Sequence, residues 1–165
     1  MMRLRVSFLW AVGFLSGCAT HYEYQPVSPQ DPVITFGDRL GGGAIFYSPT
    51  RSFSINTTGT NQCADYHDVG SVSNHWTRIY AKTRKYFVPK ETKVSLIGNY
   101  SLATGNKYSS CKFGPISFKA EASKHYSVDI STLFTTCSIS IFEIAPDGTY
   151  LNIQIEQNRE PECVR

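Results

Sequence analysis

Thr92-Lys93-Val94-Ser95-Leu96-Ile97-Gly98-Asn99-Tyr100-Ser101-Leu102 is the stretch on which the fold turns. Val94, Leu96, Gly98, Tyr100 and Leu102 take every second position; Lys93, Ser95, Asn99 and Ser101 lie between, and only Ile97 breaks the polar series. A period of two places the two sets on opposite faces of an extended chain, so the segment reads as a strand with one buried face. Ala103-Thr104-Gly105-Asn106-Lys107 follows, and this is turn chemistry.

Downstream the pattern repeats. Phe113, Ile116, Phe118 and Ala120 form a second apolar series, and after a break at Ala122-Ser123-Lys124 a third runs through Tyr126, Val128 and Ile130. Cys137, Ile139 and Ile141 share one face of a fourth, with Phe142 and Ile144 on the other. Pro146-Asp147-Gly148 is a hairpin turn, since Gly tolerates positive φ. Leu151, Ile153 and Ile155 then alternate with Asn152, Gln154 and Glu156. Five strands separated by turn signals predict an all-β chain folded as an antiparallel β-sandwich.

Upstream the signal weakens. Residues 44–47, 51–55 and 76–81 are strand candidates, with a polar loop at 56–74. Gly41-Gly42-Gly43 reads as a turn or bulge, because no Lys-Ser/Thr or helix start follows to make a phosphate loop. No segment shows sustained helical periodicity, although a helical turn near 131–135 is compatible with the sequence, and there is no internal repeat.

Composition agrees. The chain has 165 residues, 41% of them hydrophobic and 18% charged, which fits one globular domain and excludes a disordered tail or a polytopic membrane protein. Ser and Thr number 32 and Tyr and Phe 20, against 8 Leu, a mix that favours strands over helices. A net charge of +3 is too small to imply a nucleic-acid partner.

The first residues are of another kind. Arg3 and Arg5 precede an almost wholly apolar run from 6 to 16. That run is too short to span a bilayer, which takes about 20 residues, and it has the layout of a secretory signal peptide. It ends in Leu15-Ser16-Gly17-Cys18, which resembles the lipobox of bacterial lipoprotein signal peptides at all four positions. The resemblance implies cleavage before Cys18, a diacylglycerol on its sulfur and an acyl chain on its new amine. Two or more chains give stable anchoring. Ala19 follows Cys18 where Asp would mark inner-membrane retention in enteric-type bacteria, so the resemblance implies the outer membrane, with the domain facing the periplasm or the surface. Loss of residues 1–17 removes Arg3 and Arg5 and takes the formal charge from +3 to +1. The expected organisation is a signal peptide at 1–17, a lipidated N-terminus and flexible tether at 18–43, and a β-sandwich at 44–165. Three prolines between residues 19 and 32 support the tether.

Five cysteines are an odd number. With Cys18 consumed by lipid, Cys63, Cys111, Cys137 and Cys163 remain for two disulfides in an oxidising compartment. Cys111 shares a face with Phe113, and Cys137 shares one with Ile139 and Ile141. If both faces look inward, Cys111 pairs with Cys137 and Cys63 with Cys163. The pairing of Cys63 with Cys111 and Cys137 with Cys163 stays open.

Chemistry-bearing residues are scattered. Cys63, Asp65, His67, Asp68 and His75 lie in the polar loop, but their spacing matches no metal motif, and a disulfide at Cys63 leaves no thiolate. There is no G-x-S-x-G elbow, and His125 stands where a turn enters a strand. Glu121, Asp129, Glu143 and Glu156 fall on separate strands, from which a glycosidase-like pair can be built only by the tertiary fold. Arg78-Ile79-Tyr80-Ala81-Lys82-Thr83-Arg84-Lys85-Tyr86-Phe87 is a basic and aromatic run, suited to lipid headgroups or an acidic envelope polymer and equally to a strand with a solvated basic edge.

From Val88-Pro89 to Gly148 the chain loosely resembles small bacterial envelope lipoproteins with an immunoglobulin- or transthyretin-like sandwich, through the lead-in Val88-Pro89 and the series Phe118, Ala122, Tyr126 and Val128. In size, lipid and disulfides it is also similar to lysozyme-inhibitor lipoproteins, without their signature loop. These resemblances imply a non-enzymatic binding or structural module with a protein or envelope-polymer partner and no cofactor. The alternatives are an inhibitor or immunity protein, a secretion-system accessory lipoprotein and, in a different class, an envelope hydrolase.

Overall fold

The alternation becomes ten strands among the residues described by the computed structural model, which are 21–37, 49–60, 62–73, 84–104, 107–133 and 136–157. They are β1 (Val33–Phe36), β2 (Thr50–Asn56), β3 (His67–Ser73), β4 (Arg84–Phe87), β5 (Thr92–Thr104), β6 (Lys107–Ala120), β7 (His125–Leu133), β8 (Thr136–Ile144), β9 (Tyr150–Asn152) and β10 (Glu156–Gln157). A 3-10 turn occupies Cys63–Asp65, and there is no α-helix among the described residues.

Two five-stranded sheets result, one in the order β4-β1-β7-β8-β9 and the other in the order β10-β6-β5-β2-β3. The expected all-β, two-sheet architecture is therefore the one observed. Pairing between named strands is antiparallel except for β1 with β7, where Val33 lies opposite His125 and Phe36 opposite Val128 in parallel.

A register shift explains the uneven apolar spacing of β6. Leu96 pairs with Ile116 but Gly98 pairs with Phe113, so two residues of β6 oppose one of β5. Such a bulge moves every later side chain to the other face. Cys111 and Phe113 thus point to the core from odd positions, and Ile116, Phe118 and Ala120 from even ones. Gly98 is required at this point, because a Cβ there would lie 2.1 Å from Cε2 of Phe113.

The core lies between the sheets. Ile34, Phe36, Phe53, Ile55, Val94, Leu96, Val128 and Ile130 are all essentially inaccessible. Phe36 of β1 meets Phe53 of β2 at a centroid distance of 4.8 Å, and Phe118 of β6 meets Tyr126 of β7 at 4.9 Å. Burying each such ring is worth about 1.5–3 kcal/mol. Cys111 of β6 is bonded to Cys137 of β8, with Cα atoms 6.3 Å apart, and so ties one sheet to the other.

Three differences from the sequence reading stand out. First, residues 21–37 belong to the domain, although 18–43 reads as a tether. Val33–Phe36 is an inner strand of its sheet, and Tyr22 is buried. Prolines and polar residues mask this segment because only four consecutive positions carry the strand. Second, the polar loop at 56–74 contains β3, whose Val69 and Val72 are buried. Third, the alternation from Leu151 to Ile155 is not one strand. The chain leaves the first sheet after Asn152 and enters the second at Glu156, with Ile153 packed against the core between them. The candidate strands at 44–47 and 76–81, and Gly41-Gly42-Gly43, lie outside the described residues.

Candidate functional site

The crossing from β9 to β10 creates the site. Among the described residues β10 pairs with Ile116 and Ser117 of β6 alone. Phe118 to Ala120 continue past it, while residues 153–155 veer toward the other sheet. Between them opens a cleft of about 530 Å³, a size suited to small ligands or a few residues of a peptide. Its floor is apolar, formed by Phe118, Tyr126 and Ile153. The Tyr126 hydroxyl accepts a hydrogen bond from the Glu121 amide at 2.9 Å, and burial raises its pKa.

The rim carries alternating charge. Lys93 and Lys119 are cross-strand neighbours on β5 and β6, an unfavourable juxtaposition of like charges. Each is offset by a carboxylate from elsewhere: Lys93 Nζ lies 2.6 Å from Glu156 Oε2, and Lys119 Nζ lies 2.5 Å from Glu91 Oε2. Lys124, just before β7, is paired with Glu143 of β8. The hydrogen bond from Lys119, helped by the Ala122 amide, holds the Glu91 carboxyl below its ordinary range. Hydrogen bonds to Glu91 and Glu143 raise Lys119 and Lys124 respectively. Glu121 is the fourth carboxylate of the cleft, and no lysine or arginine is ion-paired with it among the described residues.

Three of the four carboxylates read as scattered in the sequence, Glu121, Glu143 and Glu156, therefore converge here. Asp129 does not; it lies beside Arg51 of β2. Glu91, Lys93 and Lys119 had no motif to mark them. The one local signal is Lys93 and Lys119 on the polar faces of their alternating strands.

Around this cleft the sheet edge is apolar. Tyr150, Leu151 and Ile155 are 38%, 46% and 42% exposed, and β9 is an edge strand of its sheet.

The other candidates separate. The polar-loop residues turn to local structure: Asp65 accepts from the Thr60 hydroxyl, Asp68 Oδ1 from the Gly70 amide at 3.0 Å, and His67 lies against the Tyr22 ring at 6.4 Å. Among the described residues no three His, Cys, Asp or Glu side chains are placed to hold a metal ion. His125 Nε2 lies 2.6 Å from Thr35 Oγ1. Cys18, His75 and Cys163 lie outside the described residues, as do 78–83 of the basic run, whose remainder forms β4. Cys63 sits in the 3-10 turn. No helix among the described residues is long and apolar enough to cross a membrane. No protein-family model, no curated protein and no solved structure matches the chain significantly.

Proposed function

We propose that the chain is an exported lipoprotein, anchored through Cys18 at the outer membrane, whose two-sheet domain binds a protein segment in the cleft beside β10. The observation that carries the binding reading is an apolar floor ringed by alternating lysine and glutamate, next in sequence to the exposed Tyr150 and Leu151 of the edge strand β9 and to Ile155. A short stretch of extended peptide suits this arrangement, since its backbone lies along a sheet edge while its side chains meet the floor and rim.

A hydrolytic reading is less well supported. A glycosidase-type pair needs one carboxyl held protonated near neutral pH. Glu91 is drawn the opposite way, and Glu143 and Glu156 are engaged with lysines. Such pairs organise a recognition surface and fix the register of a charged partner.

The test is site-specific photocrosslinking in the native envelope. A benzophenone amino acid at Gln154, in the cleft, is expected to give a discrete protein adduct; the same probe at Thr58, an exposed position outside it, gives none. Lack of an adduct at Gln154, or identical adducts at both positions, overturns the reading. The anchor is checked separately: palmitate labelling is expected in the wild type and lost in Cys18→Ser.

A further inference from the structure

The N-terminus is held where β3 and β4 come together. His21 bridges to Asp68 of β3, and the Tyr22 amide donates to the Asp68 carbonyl at 2.9 Å. Tyr22 is 6% exposed. Its hydroxyl donates to the Phe87 carbonyl at 3.1 Å, and its ring meets Tyr86 edge-on at 6.0 Å. Burial pushes the Tyr22 phenol up to about 12. This residue therefore joins β3, at one end of the second sheet, to β4, at one end of the first. It is a fixed part of the domain and not the end of a spacer.

Only three residue steps separate His21 from Cys18. Fully extended, they reach at most about 11 Å. The interfacial layer between hydrocarbon and water is itself roughly 5–8 Å deep on each side of a bilayer. Whatever the conformation of the intervening residues, crossing the headgroups uses roughly half to three-quarters of that reach. An acylated Cys18 leaves the domain at most about 3–6 Å in which to stand off.

The chemistry of this side fits such contact. β4 carries Lys85 and Phe87, both exposed, next to Arg84 and Tyr86. Basic residues near a leaflet surface are drawn to anionic headgroups, and aromatic side chains settle at the same depth. The geometry also fixes what faces away. Four inter-strand gaps of about 4.8 Å put β9 some 19 Å across the sheet from β4, and the cleft, lined by β6, β7, β8 and the β9–β10 crossing, is offset toward that far edge.

We infer that the β3–β4 side docks directly on the phospholipid headgroups of the membrane that holds the anchor, so that the cleft is turned away from that membrane. The inference rests on the lipoprotein reading above and adds an orientation to it.

The lipidated full-length protein tests this in vesicles of phosphatidylethanolamine and phosphatidylglycerol doped with a lipid that has a photoactivatable diazirine in its headgroup. Peptide mapping is expected to find label on residues 21–24 and 84–88, several-fold above residues 146–157. A linker of about 20 Gly/Ser residues, with an r.m.s. reach of about 25 Å, placed between Ala19 and Thr20 is expected to lower that labelling several-fold with acylation unchanged. Equal labelling on both sides, excess on 146–157, or indifference to the linker overturns the orientation. The mass of the N-terminal peptide is read in the same sample. An unacylated Cys18 overturns the lipoprotein reading beneath it, while an acylated Cys18 with unpolarised label overturns the orientation alone.

Discussion

Arg51 of β2 lies beside Asp129 of β7, Nε to Oδ1 3.9 Å, with both side chains largely shielded from solvent. Arg51 Nε donates to the Ile130 carbonyl at 3.1 Å, and the guanidinium stands 5.8 Å from the centre of the Tyr100 ring. Burial lowers the Arg51 pKa, partly offset by Asp129, and its Nη1 is buried without a hydrogen-bond partner. A cation in this position is tolerated because the carboxylate is there. Asp129→Ala is expected to cost about 3 kcal/mol, the size associated with stranding one member of a buried pair. Arg51→Met keeps the apolar stem and removes the orphaned donor, with an expected cost below about 1.5 kcal/mol. Urea unfolding measures both, and the reverse order would show that the pair does not act as described.

Gly98 and Phe113 make a second coupled pair. Gly98→Ala places a methyl group where the Phe113 ring now lies, and overpacking of this kind costs about 1–3 kcal/mol. Phe113→Ala alone loses ring packing. The double variant is expected to be more stable than the sum of the two losses allows, because the clash vanishes with the ring. A double-mutant cycle on unfolding free energies reads this directly, and simple additivity would contradict it.

The disulfide between Cys111 and Cys137 closes a loop with a sequence separation of 26. On the chain-entropy model its removal is expected to cost about 3–4 kcal/mol. The variant Cys111→Ser/Cys137→Ser should show that loss in urea unfolding while keeping a strand-rich circular dichroism spectrum, since β6 and β8 are each secured by their own sheet neighbours.

Asp31 predicts an acid response. Burial alone would raise its pKa, but hydrogen bonds from the Ser28 amide, the Tyr24 hydroxyl and the Val27 amide outweigh it and hold the carboxyl below the usual carboxylate range. These groups donate to Oδ2 at 3.0, 3.1 and 2.9 Å. A carboxylate with a lowered folded-state pKa stabilises above its unfolded value and loses that contribution as pH falls through the folded one. Thermal unfolding followed from neutral pH down through this range should show Asp31→Asn less stable than wild type at neutral pH, with the gap closing in acid. A gap that stays constant would remove the ionised carboxylate from the explanation.

Alternation with period two was enough to find β5, β6, β7 and β8 and to set Cys111 and Cys137 on inward faces, because a half-buried strand writes its two environments directly into consecutive residues. The same logic located the hairpin turn at Gly148, whose φ is +84°. The export and acylation signal proposed from Arg3 to Cys18 is likewise read from sequence pattern alone.

Tertiary structure decided the rest. β1 is four residues long and gains its stability from β4 and β7, neighbours distant in sequence, so nothing local distinguishes it from a tether. β9 and β10 share one alternating run but belong to different sheets, and periodicity carries no information about which sheet a residue joins. The cleft follows from that switch. Glu91, Glu143 and Glu156 meet Lys119, Lys124 and Lys93 only when their strands pair within each sheet, and the packing of the two sheets then brings these pairs and Glu121 to one cleft. Sequence fixes which faces are apolar because burial acts residue by residue; it leaves open which charges meet, because that depends on how distant strands are brought into register.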